Sequence, residues 1–241
     1  MRILARATFA ALAFAGMTDV ASAASLQVAP TTVEIPMGSS ASTLMLKNPG
    51  KAPLKAQIRV YRWSLAAGEE KLEPANDVVA SPPMVSVKPG TDYTVRLVRL
   101  NKAPVQSEET YRVIIDEIPD PSQRAAGVVQ LAFRYSIPVF FLPGANAKGQ
   151  LTWSVERRNG KLVVSATNTG ARRVRLADLK AVDDKGKSAV IAKGLAGYVL
   201  ARSSKSWVAP NTLNAGASSL QISAQGDSGP INAQAKSLAA R

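Results

Sequence analysis

Apolar residues fall at every second position through much of this chain, the period of a β-strand with one face turned inward. In residues 41–48, Leu44 and Leu46 share a face. In 54–63, Ile58 and Val60 do so, with Trp63 offset from them. In 91–100, Tyr93, Val95 and Leu97 alternate with Thr94, Arg96 and Val98. Residues 84–87 and 110–118 are further strands. Residues 26–36 predict a first strand that Pro30 interrupts, which places it at a sheet edge. Turn signals separate these runs: Asn48-Pro49-Gly50, Ser81-Pro82-Pro83, Lys88-Pro89-Gly90 and Pro119-Asp120-Pro121. Residues 64–80 are less regular and predict no strand. No stretch has the periodicity of an amphipathic helix.

The strand pattern restarts after residues 142–149, a Gly- and Pro-containing hinge. Residues 151–157 and 161–168 flank Arg158-Asn159-Gly160, an Asn-Gly hairpin signal. Residues 174–182, 198–208 and 219–223 are further strands, and the tail from Gln225 carries weak structure signals. Short strands at regular spacing predict an all-β fold of two sandwiches, over residues 24–143 and 144–241, the second ending in a weakly ordered tail.

Residues 127–141, GVVQLAFRYSIPVFF, are the longest alternating run. Val129, Leu131, Phe133, Tyr135, Ile137, Val139 and Phe141 form one apolar face. Pro138 lacks an N–H for a ladder, which again points to an edge. A long hydrophobic edge strand invites pairing with another chain, and proteins ordinarily suppress it. The same face could instead fill the chain's own core, and beyond Ser136 the sequence favours neither reading.

The N-terminus narrows the setting. A basic start with Arg2 and Arg6, an alanine-rich apolar run and Ala21-Ser22-Ala23 predict a secretory signal peptide over residues 1–23. No later segment approaches the ~18 consecutive apolar residues of a membrane span, so no membrane insertion is expected. The formal charge of the whole chain is +13. Removing Arg2, Arg6 and Asp19 with the signal lowers it by one unit. A basic exported protein can meet anionic surfaces or acidic partners. Export argues against nucleic acid, and the charges stand singly along strands, as at Arg96, Arg99 and Lys102. The chain has no cysteine, so no disulfide staples it.

There is also no histidine, which removes the commonest general base and the commonest metal ligand. Gly226-Asp227-Ser228-Gly229-Pro230 looks like the surroundings of a nucleophilic serine, but a histidine triad cannot be assembled and the stretch reads as a polar turn. Asp116 and Glu117 are neighbours on a strand and so point to opposite faces. No phosphate loop or metal-ligand spacing stands out. The chain is expected not to be an enzyme and to need no cofactor or metal.

A family resemblance rests on particular stretches. Residues 110–119, TYRVIIDEIP, then a short loop and 127–143, GVVQLAFRYSIPVFFLP, resemble the end of the first domain of periplasmic pilus chaperones of the chaperone–usher pathway. The Ser81-Pro82-Pro83 break and the Lys88-Pro89-Gly90 turn before TDYTVRLVRL do so too. The likeness covers residues 26–143 and weakens beyond. It implies two immunoglobulin-like sandwiches set at an angle with a cleft between them. It also implies donor-strand complementation, in which an edge strand is lent to a pilus subunit. Val129, Leu131, Phe133, Tyr135 and Ile137 would then fill the subunit's groove. Burying a side chain of that size contributes roughly 1.5–3 kcal/mol. The best-known branch anchors the subunit's terminal carboxylate with an arginine and a lysine, at positions occupied here by Thr31 and Pro138. Neither can do so by charge. The sequence is similar to the archaic branch, in its YR…EIP strand and IPVF ending, which implies Arg112 as the anchor, with Arg134 as a second candidate. A guanidinium stays charged and can hold a carboxylate with two bonds. The implied partners are pilus subunits and an outer-membrane usher, and the bare edge would also permit self-association of the free chain. The competing reading is an exported immunoglobulin-like structural or adhesive surface protein, which would cap the 129–141 edge rather than leave it free.

Overall fold

The computed structural model describes residues 26–120, 131–214 and 216–237. Among them the chain forms 17 strands and no helix. The predicted signal peptide and Val129 lie outside the described residues.

The first body is a sandwich. One sheet has the order β1 (Gln27–Ala29), β3 (Ala41–Lys47), β8 (Asp92–Arg99), β6 (Val78–Ser81). The other runs β2 (Val33–Ile35), β10 (Arg134–Phe141), β9 (Glu109–Ile118), β4 (Leu54–Ala66), β5 (Glu69–Pro74), with β7 (Met84–Val87) also on β4. The two-residue period places Leu44, Leu46, Val95 and Leu97 of one sheet against Ile58, Val113, Ile115 and Val139 of the other in one buried cluster. Tyr93, expected on that inner face, lies past the end of the core and is exposed. Pro30 does more than mark an edge: β1 and β2 on either side of it belong to different sheets.

The second body is one seven-stranded sheet, ordered β14 (Ser188–Val199), β13 (Val174–Asp183), β16 (Ser219–Gly226), β17 (Gly229–Ser237), β11 (Leu151–Arg158), β12 (Lys161–Asn168), β15 (Ser204–Val208). Its two edges approach each other, and Trp207 Nε1 donates to the Ala196 carbonyl at 3.1 Å. The sheet thereby wraps around Trp153, Leu176, Leu179 and Leu220. Asn159 and Gly160 close the β11–β12 hairpin with positive φ of 51° and 75°, the left-handed turn that Asn-Gly favours.

Four expectations are corrected. Residues 64–80 carry β5 and the start of β6. Every residue of β5 is exposed, so burial imposes no alternation for the sequence to display. The single strand expected over 198–208 is the end of β14 and all of β15, separated by a turn with Arg202 at φ 56°. The stretch from Gln225 is not a weakly ordered tail through residue 237: β17 pairs with both β16 and β11. Gly226 pairs with Gly229, so Asp227 and Ser228 form a hairpin loop. The strand expected over 127–141 begins, within the described residues, at Arg134.

Candidate functional site

β10 is an edge for part of its length. It pairs antiparallel with β9 throughout, from Arg134 opposite Asp116 to Phe141 opposite Glu109. On its other flank β2 joins in parallel over Val139–Phe141 alone. From Arg134 to Pro138, that flank carries no strand among the described residues. Pro138, with no N–H to donate, sits where the covered part ends.

The apolar face crosses two environments. Ile137 is 6% exposed and belongs to the core of the first body. Tyr135 packs half-buried against the same core, and its hydroxyl donates to the Leu26 carbonyl. Leu131 and Phe133 precede β10 and run off the end of the core, with exposures of 64% and 39%. Phe133 is nonetheless held in register: its carbonyl accepts from the Glu117 N–H at 2.9 Å, and its own N–H donates to the Glu117 carboxylate at 3.3 Å. That carboxylate also receives the Leu26 N–H at 2.6 Å. The position of Glu117, on the face opposite Asp116, is the one strand alternation required.

Arg112 lies on the other face of the same sheet, in a row with Tyr61 of β4 and Pro138 of β10. Its guanidinium stacks 3.8 Å from the ring centre of Trp63. Nη2 is 3.5 Å from Glu70 Oε2 on β5, and the side chain is 16% exposed. Burial pushes the Arg112 pKa down, while the Glu70 charge opposes this. Arg134 is two rows away, about 13 Å along a strand rising 3.3 Å per residue. It donates to Asp116, which also accepts from Arg59 at 2.5 Å. Burial pushes Asp116 up, but the hydrogen bonds from Arg134 and Arg59 outweigh it and hold the carboxyl below its ordinary value. The two arginines therefore serve different carboxylates and do not converge. Thr31 is exposed between β1 and β2, and Pro138 is buried.

Residues that the sequence did not single out complete the arrangement. Trp63 and Phe140 of the first body meet Tyr198 and Leu200 of the second in a small buried cluster. Arg173 covers Phe140, with its guanidinium 3.5 Å from the ring centre. It donates through Nη1 to Glu108 Oε2 at 2.6 Å and through Nη2 to Glu34. On the opposite side, Lys205 of β15 reaches Glu70 Oε1 at 3.4 Å. Strand periodicity marks Trp63 and Phe140 as outward-facing, but which outward face meets a second body is a property of the assembled fold. No group of three or more metal-ligating side chains occurs among the described residues.

No curated protein sequence matches the chain significantly. Solved structures do. A chain of the CsuC–CsuE chaperone–tip adhesion subunit pre-assembly complex, from archaic chaperone-usher Csu pili of Acinetobacter baumannii, is 25% identical with a TM-score of 0.69, covering 89% of this chain and 100% of that one. The E. coli chaperone DraB shares the fold at 21% identity and a TM-score of 0.59, over 88% and 97% of the two chains. So does the Pseudomonas aeruginosa CupB2 chaperone, at 20% and 0.54, over 87% and 100%. The two bodies are accordingly immunoglobulin-like sandwiches. Residues 25–146, more than half of the chain, match the model of pili and flagellar-assembly chaperones, PapD N-terminal domain, and the protein belongs to that family.

Proposed function

We propose that this protein is a periplasmic chaperone that captures pilus subunits by donor-strand complementation and delivers them to an outer-membrane usher, after export through a cleaved signal peptide at residues 1–23. The observation that carries the reading is the half-open flank of β10, continued by the exposed Leu131 and Phe133. A strand from another chain can add there by backbone pairing, with alternate side chains supplying specificity. A surface adhesin would gain nothing from a bare edge and would be expected to cover it. Tyr135 and Ile137 are committed to the protein's own core, so groove filling rests on Leu131 and Phe133 and, by the same alternation, on Val129 before them. Arg112 is the proposed holder of the subunit's terminal carboxylate.

Leu131→Glu and Phe133→Glu test the reading. Leu131 is 64% exposed, so Leu131→Glu should leave the melting temperature of the free chaperone unchanged, whereas Phe133→Glu sets a second carboxylate opposite Glu117 and should cost up to about 1 kcal/mol without unfolding the sandwich. In a subunit's groove, an unpaired carboxylate loses its water without gaining a partner. Recovery of the subunit in periplasmic co-purification should therefore be lost. Normal recovery with either variant would contradict donor-strand capture through this segment.

A further inference from the structure

Arg112 of β9 and Lys205 of β15 come from different bodies and converge on one carboxylate, that of Glu70. The cations are largely buried, at 16% and 13% exposure, whereas Glu70 is 39% exposed. Two covered positive charges thus share a single, more accessible negative one. The contacts of 3.5 and 3.4 Å are longer than the roughly 2.7–2.9 Å of a well-formed charge-assisted bond. The pairing is loose, and the site keeps an excess of positive charge where little water remains to solvate it. The lowered pKa of Arg112, caused first by burial, has the same origin.

The site is also built to hold its members in place. The β4–β5 turn, Ala67 and Gly68 with φ of 52° and 87°, lies against β15, where the Gly68 carbonyl accepts from the Ser206 N–H at 3.5 Å. A Cβ at Gly68 would meet Ser206 Oγ at 2.8 Å, so this close approach requires glycine. At Gly197, whose φ of 124° itself favours glycine, the Lys205 Cε would lie 2.7 Å from a Cβ, so the lysine stem runs over that backbone toward Glu70. Trp63 supports Arg112 from below.

We propose that Glu70 is an intramolecular stand-in for a partner's carboxylate: it occupies Arg112 and Lys205 in the free protein and is displaced when the terminal carboxylate of a captured polypeptide enters. The proposal rests on the capture function set out above. It adds Lys205 as a ligand contributed by the second body, and it makes Glu70 a competitor that sets how tightly a carboxylate must bind. Glu70 would keep the two cations from taking up unrelated anions and leave the exchange easily reversed.

The test uses the mature full chain and a synthetic octapeptide of alternating valine and threonine, prepared with a free C-terminal carboxylate and, separately, as the amide. Binding is followed by calorimetry and by tryptophan fluorescence, to which Trp63 beneath Arg112 contributes. Glu70→Gln should raise affinity for the acid roughly tenfold, a typical coupling between two ligands of one site, and leave the amide unchanged. Lys205→Met should reduce the preference for acid over amide in both backgrounds. Glu70→Ala, which removes the amide oxygen as well, should behave as Glu70→Gln does. If both peptides bind, and Leu131→Glu abolishes that binding, but the preference is the same with and without Glu70, the stand-in role is wrong and the capture function survives. If neither peptide binds any form of the protein, capture through this edge fails and the role of Glu70 falls with it.

Discussion

Asp183 shows how much a single side chain can organise in the loops of an all-strand fold. Its Oδ2 accepts the Asn214 N–H at 2.8 Å, and its Oδ1 accepts those of Lys185 and Lys187, each at 2.9 Å. One carboxylate thereby ties the β13–β14 turn to the segment that leads into β16. The bond from Asn214 is the largest cause of a pKa held below the ordinary 3.8; burial opposes it, and the Lys187 and Lys185 N–H groups add to it. A depressed carboxylate means that the native state binds the proton less readily than the unfolded chain. Its stabilisation is complete above the unfolded value and disappears as pH falls through the folded one. Asp183→Asn should therefore lower the melting temperature at neutral pH and make little difference well below pH 3.8. Thermal melts of both proteins across that range check it, and a constant gap at every pH would contradict the assignment. Nothing in the sequence distinguished Asp183 from Asp184 beside it, because the three donors come from the folded turn and from a residue some thirty positions away.

At the scale of the element, β10 carries the most function and was the most ambiguous to read. Alternation of apolar residues states that one face leaves water, but it does not state whose core receives that face. Tyr135 and Ile137 enter the protein's own sandwich, while Leu131 and Phe133, on the same alternating set, do not. The difference lies in where the opposing sheet ends, which is a tertiary fact. Ile137→Ala should cost about 2–5 kcal/mol, the range for truncating a buried isoleucine. Leu131→Ala should stay within about 0.5 kcal/mol, as for an exposed position away from special features. Urea denaturation of the free protein separates them, and equal midpoints would contradict the division of the strand. Other elements were legible wherever burial wrote the pattern: β3, β8 and the Asn159-Gly160 hairpin follow directly from alternation and turn chemistry, and β9, buried on both faces at Val113–Ile115, from its β-branched run. β5 was not, because its six residues are all exposed and its place is set by backbone pairing to β4. β17 was hidden for a related reason. In Gly229–Ser237 the buried side is supplied largely by alanine, so the contrast between its faces is faint.

At the scale of the whole molecule, the arrangement of the two sandwiches matters because Arg112 and Lys205 reach Glu70 from opposite sides of their junction. Arg173 is the fastening. Its side chain is 4% exposed, it binds the fully covered Glu108 carboxylate through both Nη1 and its backbone N–H, and it lies flat on Phe140. Burial pushes the Glu108 pKa up while the Arg173 charge pulls against it. Removing the Arg173 side chain takes away the largest opposition to burial and leaves the Glu108 carboxylate, for a neighbouring cation, only the more distant Arg172, whose Nε is 3.8 Å from Oε2. Breaking a buried pair from one side typically costs about 3–5 kcal/mol, because the remaining charge stays uncompensated. Arg173→Met should therefore destabilise the protein strongly. The sign of the pH dependence follows from Glu108. With its folded pKa raised further above the unfolded value, the penalty is largest at high pH and fades as pH falls below the unfolded value, where the carboxyl is neutral in both states. Arg173→Met combined with Glu108→Gln should recover much of the loss at neutral pH and remove most of its pH dependence. Denaturation across pH measures the energies, and small-angle scattering of the same variants reports whether the sandwiches still keep one arrangement. A single variant that melts like the wild type at neutral pH would show that the other contacts between the two bodies fix the junction without Arg173. A single variant that is destabilised equally at all pH values would show that Arg173 acts by packing on Phe140 rather than by neutralising Glu108.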